Sequence, residues 1–357
     1  MNVLLLFFNR IDHFSQVWEQ VRRARPDRLF LYQDGPRMVD ADGLAVSRPE
    51  DSKDWPGIMA CRQLVSDAQI DWPCRVERLY QTKNYGCDPS EFLSQQWAFS
   101  QVDRCIVLED DDVPSLSFFR FCEEMLERYK DDERVTLISG FNTEGPMTPP
   151  APADHALPSQ EPLPSYFFTR AFSIWGWASW ARVVRHWDGD YGFVRDPQQF
   201  ECLCQKVRQY RQRRDMPMMC QAHAASGKAY YESIFWAYML LHDGLAIMPQ
   251  HNLINNIGMD GGTHFAADVD LLPRRLRAQF TMPRHELDFP LVHPSAVEEW
   301  PEYQRLFYLR NAWNHPWRKV QYSLEELWLN LRAGNLSKIG DALRARIRKT
   351  LHLDTYR

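Results

Sequence analysis

The 357-residue sequence has no C-x-x-C pair, no long apolar run and no excess of positive charge, and each absence removes a class of function. Its eight cysteines are scattered at Cys61, Cys74, Cys87, Cys105, Cys122, Cys202, Cys204 and Cys220. That spacing lacks the signature of a structural zinc site and suits reduced thiols better than a disulfide framework. No stretch reaches the ~18 apolar residues that a membrane span needs. The opening run Val3–Phe8 is short and has no basic residue before it, unlike a secretory signal. A cytoplasmic protein is expected, with peripheral contact at the inner membrane face left open. A net charge of −5 argues against a general nucleic-acid binder. Internal repeats are absent. So is a Gly-rich, Lys-containing phosphate loop after the first apolar run, where Phe8-Asn9-Arg10-Ile11-Asp12 stands instead.

What is present is an α/β alternation. Val3–Phe8, Arg28–Tyr32, Arg75–Leu79, Cys105–Leu108 and Val135–Ser139 read as strands. Ile11–Ala24, Trp55–Ala68, Ser90–Val102 and Phe118–Tyr129 read as helices between or after them. Such alternation predicts parallel strands in a doubly wound sheet with right-handed crossovers. Ligands of such sheets bind outside the C-terminal ends of the strands. Arg10, Asp34 and Glu109 to Asp112 all follow strand ends, so their order predicts that they converge. Residues 143–165 are rich in Pro and Ala and read as a surface loop or lid. A second half follows, with a basic helix over Cys204–Arg214, a helix over Ala229–Leu241, a strand over Leu245–Pro249 and a Gly-rich polar loop over Asn255–His264. From Pro294 onward the chain reads as helical. These boundaries divide it into residues 1–145, 146–290 and 291–357.

The run Glu109-Asp110-Asp111-Asp112 after an apolar strand carries the most chemistry. Four adjacent carboxylates repel one another unless a cation or donors compensate. Hard cations such as Mn²⁺ or Mg²⁺ take carboxylate oxygens and bridge them to substrate phosphates. The alternative is an acidic turn that caps the next helix.

Leu108-Glu109-Asp110-Asp111, followed after Pro114 by Phe118-Phe119, resembles the EDD variant of the DxD motif. That variant occurs in GT-A glycosyltransferases related to N-acetylglucosaminyltransferase I and in their bacterial nucleotide-sugar transferase relatives. Phe8-Asn9-Arg10, Gln33-Asp34-Gly35 and Trp175-Gly176-Trp177 are similar to other segments of that superfamily, and the likeness covers residues 1–265. It implies a GT-A-type doubly wound mixed sheet flanked by helices, with a C-terminal helical extension. By the same resemblance Asp111 is the metal ligand, and Glu109 and Asp110 contact ribose and donor-sugar hydroxyls. Asp34 accepts from the uracil N3–H, and Arg10 lies beside the base or phosphates. One departure is Ser94-Gln95-Gln96-Trp97, where animal relatives carry a nucleotide-contacting His. The matching position for the general base that inverting transfer needs at the acceptor hydroxyl is Glu232, with Tyr231 against the donor sugar. A Glu stabilising a helix N-terminus and a core tyrosine are the plainer alternatives.

Trp175 and Trp177 flank Gly176 and can form a sugar floor or sit as core aromatics beneath it. His264 can touch phosphate or metal, though a lone loop histidine commonly does neither. Lys206, Arg208, Arg211, Arg213 and Arg214 read as a solvated face. The basic, apolar stretch Leu324–Leu351 reads as a helix docked on the domain or on a homodimer partner, or as an interfacial helix near anionic lipid. The expectation is therefore a metal-dependent hexosyl- or N-acetylhexosaminyltransferase, taking a nucleotide sugar and a glycan or lipid-linked glycan acceptor. The alternative is a metal-dependent phosphohydrolase or nucleotidyltransferase acting on sugar phosphates.

Overall fold

Short apolar runs with strand-like alternation build the sheet. The computed structural model describes residues 1–147, 163–259, 269–335 and 340. Asn2–Phe7 (β1), Arg28–Gln33 (β2), Arg75–Tyr80 (β3) and Arg104–Glu109 (β4) pair in parallel in the order β3-β2-β1-β4. Ile11–Ala24 (α1), Trp55–Leu64 (α2) and Cys87–Phe99 (α3) connect them. The chain continues through Asp112–Pro114 (β5), Leu116–Arg128 (α4), Val135–Ser139 (β6), Tyr166–Thr169 (β7) and Trp177–Trp180 (β8). Two short helices, Ala181–Val184 (α5) and Gly192–Arg195 (α6), precede Pro197–Gln209 (α7), Met216–Ser226 (α8) and Tyr231–Leu241 (α9). Leu245–Pro249 (β9), Ile254–Asn256 (β10), Arg274–Arg277 (α10), Pro301–Arg310 (α11) and Pro316–Arg332 (α12) complete the described elements.

The main sheet has eight strands in the order β3-β2-β1-β4-β8-β6-β9-β7. It is mixed, because β8 runs antiparallel between β4 and β6, and β7 antiparallel beside β9. Pleating sends alternate side chains to opposite faces. Val3, Leu5, Leu29 and Leu31 pack against Val17, Val21, Phe118 and Phe121 of α1 and α4. Leu4, Leu6, Phe30 and Val107 pack against Phe99, Ile234 and Phe235 of α3 and α9. A third cluster joins Phe167 and Met248 to Tyr303 and Phe307, which docks α11 on the edge of the sheet. By contrast α12 buries only Tyr322.

The expected elements are present with shifts that have local causes, and β7, β8 and α8 are additions that the sequence reading does not anticipate. α3 starts at Cys87 rather than Ser90, since Pro89 fits a first turn whose N–H groups have no intrahelical partner. α7 starts at Pro197 rather than Cys204, because Asp196 caps it by accepting from Gln198 N–H (2.9 Å) and Gln199 N–H (3.2 Å). Part of the expected polar loop is a strand: β10 pairs antiparallel with β5. All eight cysteines are free. No helix among the described residues is long and apolar enough to cross a membrane.

Trp177 corrects one expectation. It is 1% exposed and stacked between Phe99 (6.3 Å) and Tyr231 (6.5 Å), so it is a core residue and not a sugar floor. The left-handed Gly176 (φ 64°) separates it from Trp175 and sends the two indoles apart. A Cβ at Gly176 would stand 2.5 Å from the Ile254 side chain, so only glycine fits this turn. Trp177→Phe is expected to cost about 1–3 kcal/mol of unfolding free energy through lost packing, read by denaturant titration. Unchanged stability would contradict this placement.

Candidate functional site

β1 leads to β2 on one side, while β4 pairs on the other side of β1, so a crevice opens where these strands end. A cavity of about 340 Å³ lies there, and Arg10, Asp34, Glu91, Glu109, Asp110 and Asp111 all reach its wall. The expected convergence of strand-end residues is therefore observed for Arg10, Asp34 and Glu109 to Asp111, but not for Asp112.

Arg10 follows β1 and is the cation of the acidic cluster. Its Nη2 donates to Asp110 Oδ1 and to Asp111 Oδ2 (2.7 Å). Burial disfavours its charge, but the two carboxylates outweigh burial and hold its pKa above the ordinary value. Arg10 Nη1 is buried and has no hydrogen-bond partner among the described residues. An unmade bond to a charged donor is costly, so this atom is positioned for an incoming acceptor. Asp110 also accepts from Phe8 N–H (3.2 Å), which ties the end of β1 to the end of β4.

Asp111 and Asp112 differ in role although they are adjacent. Asp112 is fully buried and accepts from Gly176 N–H (2.9 Å) and Asn256 Nδ2 (3.1 Å). It joins β4, the Gly176 turn and β10, and so serves the fold. Asp111 faces the cavity, and its backbone carbonyl accepts from Ile257 N–H (2.9 Å). Gly258 passes so close that a Cβ there would stand 2.1 Å from Asp111 Oδ2. β10 and the residues after it thus bring Asn256 and Gly258 to the acidic cluster, within the expected Gly-rich polar loop.

Glu109 ends β4 beside a second buried carboxyl, Glu91 of α3. Burial, then the Asp111 and Asp110 charges, push the Glu109 pKa up to about 8. Burial and the Glu109 charge push Glu91 well above the carboxylate range too. Cys87 Sγ lies 3.4 Å from Glu91 Oε1. Glu91 escaped the sequence reading. Its signal is a helix face at 90, 91, 94 and 95 that is polar yet turned inward, against the usual apolar inner face.

Asp34 lies at the end of β2 and is buried. Its carboxylate accepts from Gly35 N–H (2.9 Å), Tyr85 N–H (2.9 Å), Gly86 N–H (2.9 Å) and Asn84 Nδ2 (3.0 Å). Burial raises its pKa against these donors. Asp34 therefore fixes the 84–86 loop that forms one cavity wall. Trp175, not Trp177, reaches the cavity.

Tyr231 is 2% exposed, and its hydroxyl is buried without a hydrogen-bond partner among the described residues. Burial, then the Glu91 and Glu109 charges, raise its pKa well above the ordinary value. The neighbouring Glu232 is exposed in the first turn of α9. It borders a separate small cleft with Arg213, Trp236 and Trp313, and its charge adds to the field at Glu91 and Tyr231. His264 and Asp260 lie outside the described residues.

Among the described residues, no three His, Cys, Asp or Glu side chains form a group able to hold a metal ion. Mg²⁺ and similar hard cations are often held by one or two carboxylates together with substrate phosphates. Asp111 beside an unpartnered Arg10 Nη1 fits such a shared site, and does not fit an all-protein cage.

No protein-family model matches the chain, and no curated protein matches it in sequence. Among solved structures it is similar to mouse xyloside xylosyltransferase 1 in its apo form, with 11% identity and a TM-score of 0.36 over 69% of this chain and 84% of that one. It is also similar to the galactosyltransferase LgtC in complex with donor and acceptor sugar analogues, with 10% identity and a TM-score of 0.33 over 89% and 99%. A third likeness is to 4-diphosphocytidyl-2C-methyl-D-erythritol synthase from Anaerococcus prevotii, with 10% identity and a TM-score of 0.29 over 56% and 83%. At these scores the reading of the site rests on its own geometry.

The raised Glu109 pKa has a consequence for stability. At about 8 it stands above the ordinary 4.5, so the folded protein keeps a proton that the unfolded chain releases. The stabilisation is complete below the unfolded value and is lost as pH rises through the folded one. Between these limits the ligand-free protein is expected to lose up to about 1.4 kcal/mol per pH unit from this group. Glu109→Gln removes that slope. Denaturant titrations across the range test it, and an unchanged slope in the variant would refute the assignment.

Proposed function

We propose that the chain is a GT-A-type glycosyltransferase that moves a sugar from a nucleoside-diphosphate donor, a UDP-sugar, to a hydroxyl of a glycan or lipid-linked glycan. The reaction inverts the sugar and uses Mn²⁺ or Mg²⁺. The observation that carries this reading is the strand-end set of Glu109, Asp110 and Asp111 around a guanidinium with one free buried donor, in a crevice sized for a ligand.

In this reading Arg10 Nη1 meets a phosphate oxygen, and Asp111 is the carboxylate that holds the cation. The chemistry supplied by that cation is neutralisation of charge on the departing diphosphate. Glu109 and Asp110 take ribose and donor-sugar hydroxyls. Asp34 serves the base through the loop it fixes, as its oxygens already accept from four groups. Tyr231 backs the donor sugar from below. Glu232, exposed in the first turn of α9, removes the acceptor proton. His264 closes on phosphate or metal. Residues 1–145 form the nucleotide half, 146–290 the acceptor half and 291–357 an extension. Eight free thiols fit a reducing compartment such as the cytoplasm. No observation favours a phosphohydrolase or nucleotidyltransferase on sugar phosphates.

The direct test is incubation with a panel of UDP-sugars and Mn²⁺, with slow UDP release expected. Release of inorganic phosphate instead would overturn the reading. Asp111→Asn is expected to abolish cation-dependent donor binding while the melting temperature stays near wild type. Retained Mn²⁺ dependence would remove Asp111 from the metal role. Asp34→Ala is expected to weaken UDP binding, because the 84–86 loop loses its anchor, and equal affinity by calorimetry would count against it. Glu232→Gln is expected to lower turnover at saturating donor by ~10²–10⁴-fold with donor affinity kept. Near-wild-type turnover would move the base elsewhere.

A further inference from the structure

Among the described residues, α12 presents an unpartnered apolar face. Trp317 is 81% exposed, Leu324 61%, Trp328 56%, Leu331 51%, Val320 48% and Leu327 40%. At 3.6 residues per turn these six side chains fall within about 100° of arc, a single stripe along the helix. Tyr322 lies on the opposite side and is the helix's only buried residue. Soluble proteins rarely leave so continuous a stripe bare.

The residues beside the stripe identify what fits it. Helical spacing places Ser323 and Asn330 along one border, with Lys319 one step farther round, and Gln321, Arg332 and Glu325 along the other. The flanking positions are neutral or cationic apart from Glu325. Arg332 lies over the Trp328 ring at 5.5 Å. Glu325 accepts from Arg274 N–H (2.9 Å), which brings Arg274 and Arg275 of α10 to this side of the molecule. The sequence after α12 continues the charge: Lys338, Arg344, Arg346, Arg348, Lys349 and Arg357 against Asp341 and Asp354. This end is therefore positive in a chain whose net charge is −5. Protein interfaces are depleted of Lys, whereas tryptophans with flanking Lys and Arg suit the headgroup boundary of an anionic bilayer.

We propose that α12 lies in the surface of an anionic membrane, with Trp317 and Trp328 as its anchors and the flanking cations on the headgroups. The inference concerns a surface apart from the strand-end crevice and stands whether or not the proposed activity is correct. Hydrophobic and electrostatic contributions add, so each half of the interaction can be removed separately.

The test is co-sedimentation of the full chain with vesicles of phosphatidylcholine alone and of phosphatidylcholine mixed with phosphatidylglycerol. Wild-type protein is expected to pellet with the anionic vesicles, far less with the neutral ones, and to be released by high salt. Trp317→Ser with Trp328→Ser is expected to weaken binding at least about tenfold. Both positions are exposed, so the melting temperature should hold. Lys319→Glu with Arg332→Glu is expected to erase the preference for anionic vesicles. Wild-type protein left in the supernatant with both vesicle types would overturn the proposal, as would tryptophan variants that bind equally well. A concentration-dependent dimer that the tryptophan variants dissolve, without vesicle binding by the wild type, would make α12 a subunit interface and overturn it too.

Discussion

The site depends on one imbalance: four carboxylates at the end of a buried strand, with one guanidinium among them. Burial makes each charge costly, and mutual repulsion adds to the cost. The fold answers with neutral donors: Phe8 N–H on Asp110, and Gly176 N–H and Asn256 on Asp112. What these leave uncompensated raises the proton affinity of Glu109, Glu91 and Asp112 alike, through burial and neighbouring charges. The ligand-free cluster is thus held short of positive charge. A cation with a phosphate ester would meet both the surplus carboxylate oxygens and the unpartnered Arg10 Nη1.

This demand explains several local choices that look unrelated. Gly176 lets the backbone turn so that its N–H reaches Asp112. β10 pairs with β5 and thereby brings Asn256 and Gly258 against the acidic cluster. Gly258 approaches Asp111 in a way that no side chain permits. Asp34 does comparable work on the other wall, where four donors converge on it and order the 84–86 loop. The two walls are built from distant sequence segments and meet only because the strands end together.

Much of the sheet was legible because buried strands have a simple signal. Val3–Phe8, Arg28–Tyr32, Cys105–Leu108 and Leu245–Pro249 are short apolar runs between polar punctuation, and each is a strand within a residue or two. Strand ends then located Arg10, Asp34 and Glu109 to Asp111 together. Trp175 and Trp177 were harder, since which of two aromatics faces the core depends on a left-handed turn at Gly176. Glu91 was invisible because a polar helix face is ordinarily the solvated one, and here it looks inward. Glu232 illustrates the opposite case. Its place at a helix start was readable, but the cleft it borders is assembled with Arg213, Trp236 and Trp313 from separate segments of the chain.

The antiparallel strand β8 has a consequence for how the molecule assembles. It fills the gap between β4 and β6, which do not pair with each other. A nascent chain ending near residue 145 therefore holds two strands with open hydrogen-bonding edges facing a vacant lane. Such edges invite pairing with other chains. Closure waits for Trp177–Trp180, more than thirty residues beyond β6. The sheet is in this sense keystoned from its second half, and a split of the chain at that point would expose both halves to aggregation rather than yield two stable domains.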